Sequence, residues 1–236
     1  MRPPAPHRSA RHRGGHLAGP PGNGPVSDDD VGGDPVLRLL ATALQLWLRQ
    51  QCERLDSLEL QLQGSAAGLW RGRLAGVRVR ARGVRYQHLQ LDLVDLTSGA
   101  LRVQLGSLWR GQPVKLQEPF AVRGLVSFTA AGLNHSLAQP RWRPLADQLG
   151  EELLGITPLV GLRLGDNRLV LAAQGLGESS PVEVAATVEA GAGGLALVSE
   201  DGSHRSLVAM DPSLRVERAA IEAGLLVLEG EATVTP

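Results

Sequence analysis

Asp201, Ser203 and His204 are the nearest approach of this sequence to a hydrolytic set. A triad needs a hydroxyl nucleophile, an imidazole that takes its proton and a carboxylate that orients the imidazole, all converging from a rigid scaffold. Here the three residues crowd into one polar stretch, which predicts a loop and not a convergent site. The hydrolase elbow G-x-S-x-G is also missing: Gly64-Ser65-Ala66-Ala67-Gly68 places its serine wrongly. His88 sits in a strand pattern, facing outward with Gln90, and His135 sits in Asn134-His135-Ser136. Neither has a second ligand at i+2 or i+4, so both read as surface histidines; Asn134-His135-Ser136 also matches a glycosylation sequon. Glu151 and Glu152 are neighbours on an expected helix, so they point roughly 100° apart and form no carboxylate pair. Cys52 is the single cysteine, which leaves no internal disulfide and no Cys/His metal cluster. No phosphate loop or dinucleotide fingerprint occurs, and the tract Gly191 to Gly194 reads as a flexible turn. The expectation is therefore a protein that is not an enzyme, with no catalytic residue, metal or cofactor; an enzyme acting on lipid through His204 or His135 is the weakest reading.

The side chains that stand out serve recognition. Arg71, Arg73, Arg78, Arg80, Arg82 and Arg85 fall in a stretch that contains no acid. On a strand, Arg78, Arg80 and Arg82 share one face, opposite Val77, Val79 and Ala81. Like charges in a row repel unless neutralised. Two readings follow: acidic cross-strand neighbours such as Glu59 or Asp92, or an external anion such as a lipid phosphate. Nucleic acid fits poorly, because no aromatic shares that face for base stacking. The chain has only four tryptophans, yet Leu-Trp-Arg-Gly occurs twice, at Leu69–Gly72 and Leu108–Gly111. Both tetrapeptides read as turns two strands apart, which in a meander places Trp70 with Arg71 and Trp109 with Arg110 on one sheet edge. Indole and guanidinium side by side suit a membrane interface; the other reading is a pair of tryptophans plugging the end of a core.

The elements that must hold these residues are legible from periodicity. Residues 1–33 are rich in Pro, Gly, Arg and His and too poor in apolar surface to order, so they read as a disordered tail. Asp34-Pro35 starts a helix, with apolar residues Val36, Leu37, Leu40, Leu44, Trp47, Leu48, Cys52 and Leu55 at helical spacing, ending near Leu55. That helix either packs on a sheet or also lies on a membrane surface. From Ser57 the period changes to 2, giving six strands up to Thr129 separated by Gly-containing turns. Two helices follow, TAAGLNHSLAQP and RPLADQLGEELLGI, and then a second strand set at 160–164, 168–173, 182–188, 195–198, 214–216 and 224–234. Residues 34–236 form one expected domain, with a sub-boundary near 178 as the alternative. The fold class is α+β: a long, strongly curved antiparallel sheet around an N-terminal helix, with two short mid-chain helices. Hydrophobic residues make up 43% but aromatics only 3%, so the core must be built from Leu, Val and Ala. Formal net charge is zero, which removes any global charge argument for nucleic acid. No secretion signal and no long uncharged apolar run is seen, which reads as cytoplasmic or peripheral to a membrane.

The ordered series of helix, strand, GRLAGVRVRARGV, LQLDLVDLTSG and FTAAGLNHSL resembles the LmeA-type phospholipid-binding family in its cyanobacterial form. The resemblance covers roughly 36–176 and, more weakly, the strands to 236. It implies a non-enzymatic envelope protein, similar to lipid-transfer proteins, whose curved sheet encloses an apolar cavity. On that footing Trp47, Leu89, Leu91, Leu93, Val103, Leu105 and Phe128 are expected to line an acyl-chain site. Trp70, Arg71, Trp109, Arg110, Arg78, Arg80 and Arg82 are expected at membrane or headgroup. The expected partner is a phospholipid or glycolipid at a membrane surface. A scaffold with a solid core that docks a protein partner is the alternative.

Overall fold

The computed structural model describes residues 35–104, 115–165, 167–175, 177, 180–191 and 193–235. The expected tail, the turn residue Asp166 and the sub-boundary near 178 lie outside them, as do Leu105, Trp109 and Arg110.

Helix α1, Pro35–Gln51, is rich in Leu, Ala, Gln and Arg, all strong helix formers. It stops earlier than its apolar spacing suggests. The Glu53 and Arg54 amides both donate to the Arg85 carbonyl, and the Asp56 amide donates to that of Arg82. This segment is thereby recruited to extend a strand ladder, and tertiary pairing overrides the local helical preference.

Strand β1, Ser57–Gln63, pairs antiparallel with β3, Gly76–Tyr86; β3 pairs with β4, Leu89–Ser98; and β4 pairs with β7, Phe120–Thr129. The remaining members of this six-stranded sheet come from the far end of the chain. Strand β14, Leu225–Val234, lies on β7, and β13, Leu214–Glu222, closes the edge. Close approach of β4 and β7 requires Gly124, where a Cβ would meet the Asp95 carbonyl oxygen at only 2.2 Å.

The expected six-stranded meander is corrected here. Strand β5, Leu101–Gln104, does not pair back on β4. It forms a small three-stranded sheet with β2, Arg73–Leu74, and β6, Lys115–Leu116. The first Leu-Trp-Arg-Gly is likewise not a plain turn: Leu69 and Trp70 end a short helix, α2, Ala66–Trp70, capped by Ser65, whose Oγ accepts from the Gly68 amide at 3.1 Å. Trp70 therefore does not sit in a plain turn of one meander.

Helices α3, Ala130–Leu137, and α4, Arg143–Leu154, stand where expected. Thr129 caps α3 by accepting from the Gly132 amide at 2.9 Å, and Gly155, at φ 67°, ends α4 in the left-handed conformation that glycine takes without penalty. A five-stranded antiparallel sheet follows, in the order β12 (Arg205–Ala209), β11 (Gly194–Ser199), β10 (Val182–Gly191), β9 (Arg168–Ala173), β8 (Leu159–Gly165). Strand β12 is absent from the periodicity because its pattern is inverted: Ser206 is buried and Leu207 is exposed, the serine hydroxyl donating to Glu152 of α4.

Two apolar clusters result. In the larger, Leu149 and Leu153 of α4 pack with Leu162, Leu169, Leu171 and Leu197 of the five-stranded sheet and with Phe128, Ile221 and Leu226 of the long sheet. In the smaller, Leu37 and Leu40 of α1 pack with Leu62, Leu69, Leu74, Leu101 and Val103. Both are built of aliphatic residues, as the composition requires; among the described residues Phe128, in the larger cluster, is the one buried aromatic.

Candidate functional site

Helix α1 presents two apolar faces. Leu37, Leu40, Ala41 and Leu44 turn inward to the smaller cluster. Leu39, Ala43 and Leu46 recur at i, i+4 and i+7, with Trp47 beside them, and all four are exposed. Leu39 keeps 72% of its surface, Leu46 59% and Trp47 50%. The helix holds no acid; its only charges are Arg38 and Arg49. Its apolar arc is broader than one core contact can cover, and the sequence signal for this was the additional leucines at 39 and 46, outside the core spacing.

The arginine row is largely answered from within the sheet. Asp95 stands directly opposite Arg80 and accepts from Arg78 at 3.0 and 3.2 Å, while Arg80 lies 3.9 Å from the same carboxylate. Hydrogen bonding from Arg78 holds the Asp95 carboxyl below its ordinary value. Glu59 faces Arg80 from β1. Of the two acids expected from sequence, Glu59 is in place and Asp92 is not: Asp92 faces Ser127, at 3.5 Å. Arg82 stands opposite Ser57 and Leu93, and among the described residues no ion pair is seen for it.

The expected acyl-lining residues do not gather around one space. Phe128 is buried in the larger cluster, with Leu89 and Leu91 packed against it. Val103 belongs to the smaller cluster. Leu93 is half-buried on β4, and Trp47 faces outward on α1. Within the first Leu-Trp-Arg-Gly it is Leu69 that fills the core, while Trp70 is 58% exposed and Arg71 caps the end of α2.

Near the smaller cluster, an open cleft of about 430 Å³ is lined by Gly64, Ser65, Gly68, Arg73, Leu74, Ala75, Ala100, Leu101, Arg102 and Glu118. Arg73 and Arg102 are direct cross-strand partners, so both side chains rise from the same face of the small sheet. Arg102 reaches Glu118 at 3.3 Å.

Asp201 and Ser203 are engaged with one another in a turn. Asp201 accepts from the Ser199 hydroxyl at 2.6 Å, the Ser203 hydroxyl at 2.7 Å and the Ser203 amide at 3.1 Å. These bonds hold its carboxyl at about 2. The carboxylate thus orients two serines and not an imidazole, and knots the turn between β11 and β12. His88 is corrected from strand to turn: Gln87 and His88 have φ of 49° and 64°, joining β3 to β4, and the His88 amide donates to Glu53 at 2.9 Å. Asn134 of the sequon clamps α3 to β8, donating to the Leu162 carbonyl and accepting from the Leu162 amide, both at 2.8 Å. Among the described residues no cluster of acids, histidines and cysteine is suited to a metal, and no helix is long and apolar enough to cross a membrane.

A family model described as LmeA-like phospholipid-binding matches residues 31–231. No curated protein and no solved structure matches the chain.

Proposed function

We propose that this chain, which belongs to the LmeA-like phospholipid-binding family, binds phospholipid at a membrane surface, with the outward face of α1 as its lipid-contacting element. The observation that carries the reading is the row of Leu39, Ala43, Leu46 and Trp47, exposed on an acid-free helix. In water such a row gains nothing. Laid at the boundary of headgroups and acyl chains, the leucines leave water, the indole sits at headgroup depth and arginines meet lipid phosphate. The inner leucines of the same helix anchor it to the domain through the smaller cluster, so the docked helix carries the whole protein with it.

The role is one of binding, with movement or sensing of lipid as its physiological use. What supports a non-catalytic role is that the one Ser/His/Asp grouping is locked into a turn. Co-sedimentation with vesicles of phosphatidylcholine and phosphatidylglycerol tests the reading. Protein should pellet with vesicles in proportion to lipid; protein that stays in the supernatant at all lipid concentrations overturns it.

A further inference from the structure

We infer that the cleft between α2 and the small β2–β5–β6 sheet is an anion site for a phosphodiester, with Arg73 and Arg102 as its two arms. The cleft carries an electrostatic misfit. Arg73 and Arg102 stand directly opposite one another across an antiparallel pair, where like charges destabilise the sheet. Among the described residues only one carboxylate, Glu118, lines the cleft, and it is engaged by Arg102 at 3.3 Å. Among the described residues Arg73 has no ion-pair partner.

Several arginines of this protein, though not Arg82, are answered by acids at short range: Arg78 by Asp95, Arg163 by Glu183, Arg168 by Glu200, Arg218 by Glu222 and Glu229. Arg54 and Arg85 also face one another, with an ion pair among the described residues on one side alone, Arg54 to Asp56; what marks Arg73 and Arg102 is that both line the cleft. The cleft keeps one positive charge in excess, which matches the single negative charge of a phosphodiester.

The remaining walls fit the same ligand. Guanidinium groups offer paired donors at the spacing of phosphate oxygens. Ser65 accepts from the Gly68 amide through its oxygen, and among the described residues its hydroxyl proton has no acceptor, so it can donate to a third oxygen. Gly64, Gly68, Ala75 and Ala100 put no bulk in the way. Leu74 and Leu101 also line the cleft, while strand alternation turns their side chains to the other face of the small sheet, into the cluster that seats α1. Two guanidinium groups and a hydroxyl beside small residues suit a headgroup phosphate. This assignment rests on the lipid-binding reading for the source of its phosphodiester, while the anion chemistry stands without it.

The test uses the full chain and three probes: sn-glycero-3-phosphoglycerol, inorganic phosphate, and phosphatidylglycerol-containing vesicles. Wild-type protein should bind the glycerophosphodiester, read as a rise in Tm and as amide shifts around Gly68 and Arg73. Arg73→Gln should weaken that binding at least tenfold and, by removing the repulsion with Arg102, should not lower Tm in anion-free buffer. Glu118→Gln should tighten it several-fold, a gain that no loss of folding can imitate. Tighter binding of inorganic phosphate than of the diester would make the cleft a free-phosphate site and overturn the headgroup assignment. Equal probe binding by wild type and Arg73→Gln, with vesicle association intact, overturns the cleft and leaves the lipid reading standing. Probe binding lost in Arg73→Gln, with no vesicle association by any form, keeps the anion site and removes the lipid reading.

Discussion

Replacing Leu39 and Leu46 together by serine isolates the outward face of α1 from everything else the domain does. Leu39 is 72% and Leu46 59% exposed in the free protein, so little packing is lost. Complete burial of a leucine side chain contributes about 2 kcal/mol. Scaled by those exposures, membrane contact has about 1.4 kcal/mol to gain at Leu39 and about 1.2 at Leu46. The double variant should therefore lose about 2.6 kcal/mol of partitioning energy, a drop of about seventyfold in the vesicle partition coefficient at about 1.4 kcal/mol per factor of ten. Folding stability should stay within about 0.5 kcal/mol, as for exposed substitutions generally. Quantitative co-sedimentation across a lipid series gives the partition coefficient, and urea unfolding gives the stability. An unchanged partition coefficient in a folded double variant refutes the reasoning, because it removes the apolar gain assigned to this face. A large fall in stability refutes it differently, by showing that the leucines serve the core.

Other perturbations separate the architecture from the site. Leu171→Ala, at a side chain with no exposure in the larger cluster, should cost about 2–5 kcal/mol by urea unfolding while leaving the α1 face intact. Gly124→Ala places a methyl group 2.2 Å from the Asp95 carbonyl oxygen; it should force β4 and β7 apart and cost more than the ~1 kcal/mol typical of point substitutions, read as loss of amide protection along both strands. Asp201 has its carboxyl lowered from 3.8 to about 2 by hydrogen bonds from Ser199 and Ser203. Its contribution to stability is thus present above about pH 4 and lost as pH falls through 2; carbon-detected NMR titration should place the midpoint near 2, and Asp201→Asn should remove this acid-dependent part.

Much of the architecture was readable because it is local. Helices α3 and α4 follow from 3.6-residue spacing, a threonine cap and closing glycine or proline. Hairpins such as β13–β14 follow from alternation around Ala223-Gly224. Sheet membership was not readable, since alternation marks which face is apolar and not which strand lies beside it. The pairing of β7 with β14 brings together residues 108 apart, as in the ion pair of Arg123 with Glu231 at 3.1 Å. The same limit explains the choice of Asp92 as a partner for the arginine row: register, fixed only by the fold, sets Asp95 opposite Arg80 instead. At the candidate site, the sequence showed that α1 was amphipathic and that arginines clustered. It did not show that Leu39 and Leu46 turn away from the core, which depends on how much of the helix the small cluster can cover. Nor did it show that Arg73 and Arg102 face each other, since their strands belong to a sheet the meander pattern conceals.

The most direct test of membrane contact through α1 is the depth of Trp47 in a bilayer. A variant retaining Trp47 alone, with phenylalanine at Trp70, Trp109 and Trp142, gives a single fluorophore on the outward face. With vesicles containing lipids brominated along the acyl chain, the account predicts a blue shift and strong quenching of Trp47, both lost when Leu39 and Leu46 are serine. Emission that keeps its aqueous maximum and is quenched by acrylamide but not by brominated lipid, in protein that has pelleted with the vesicles, would contradict it.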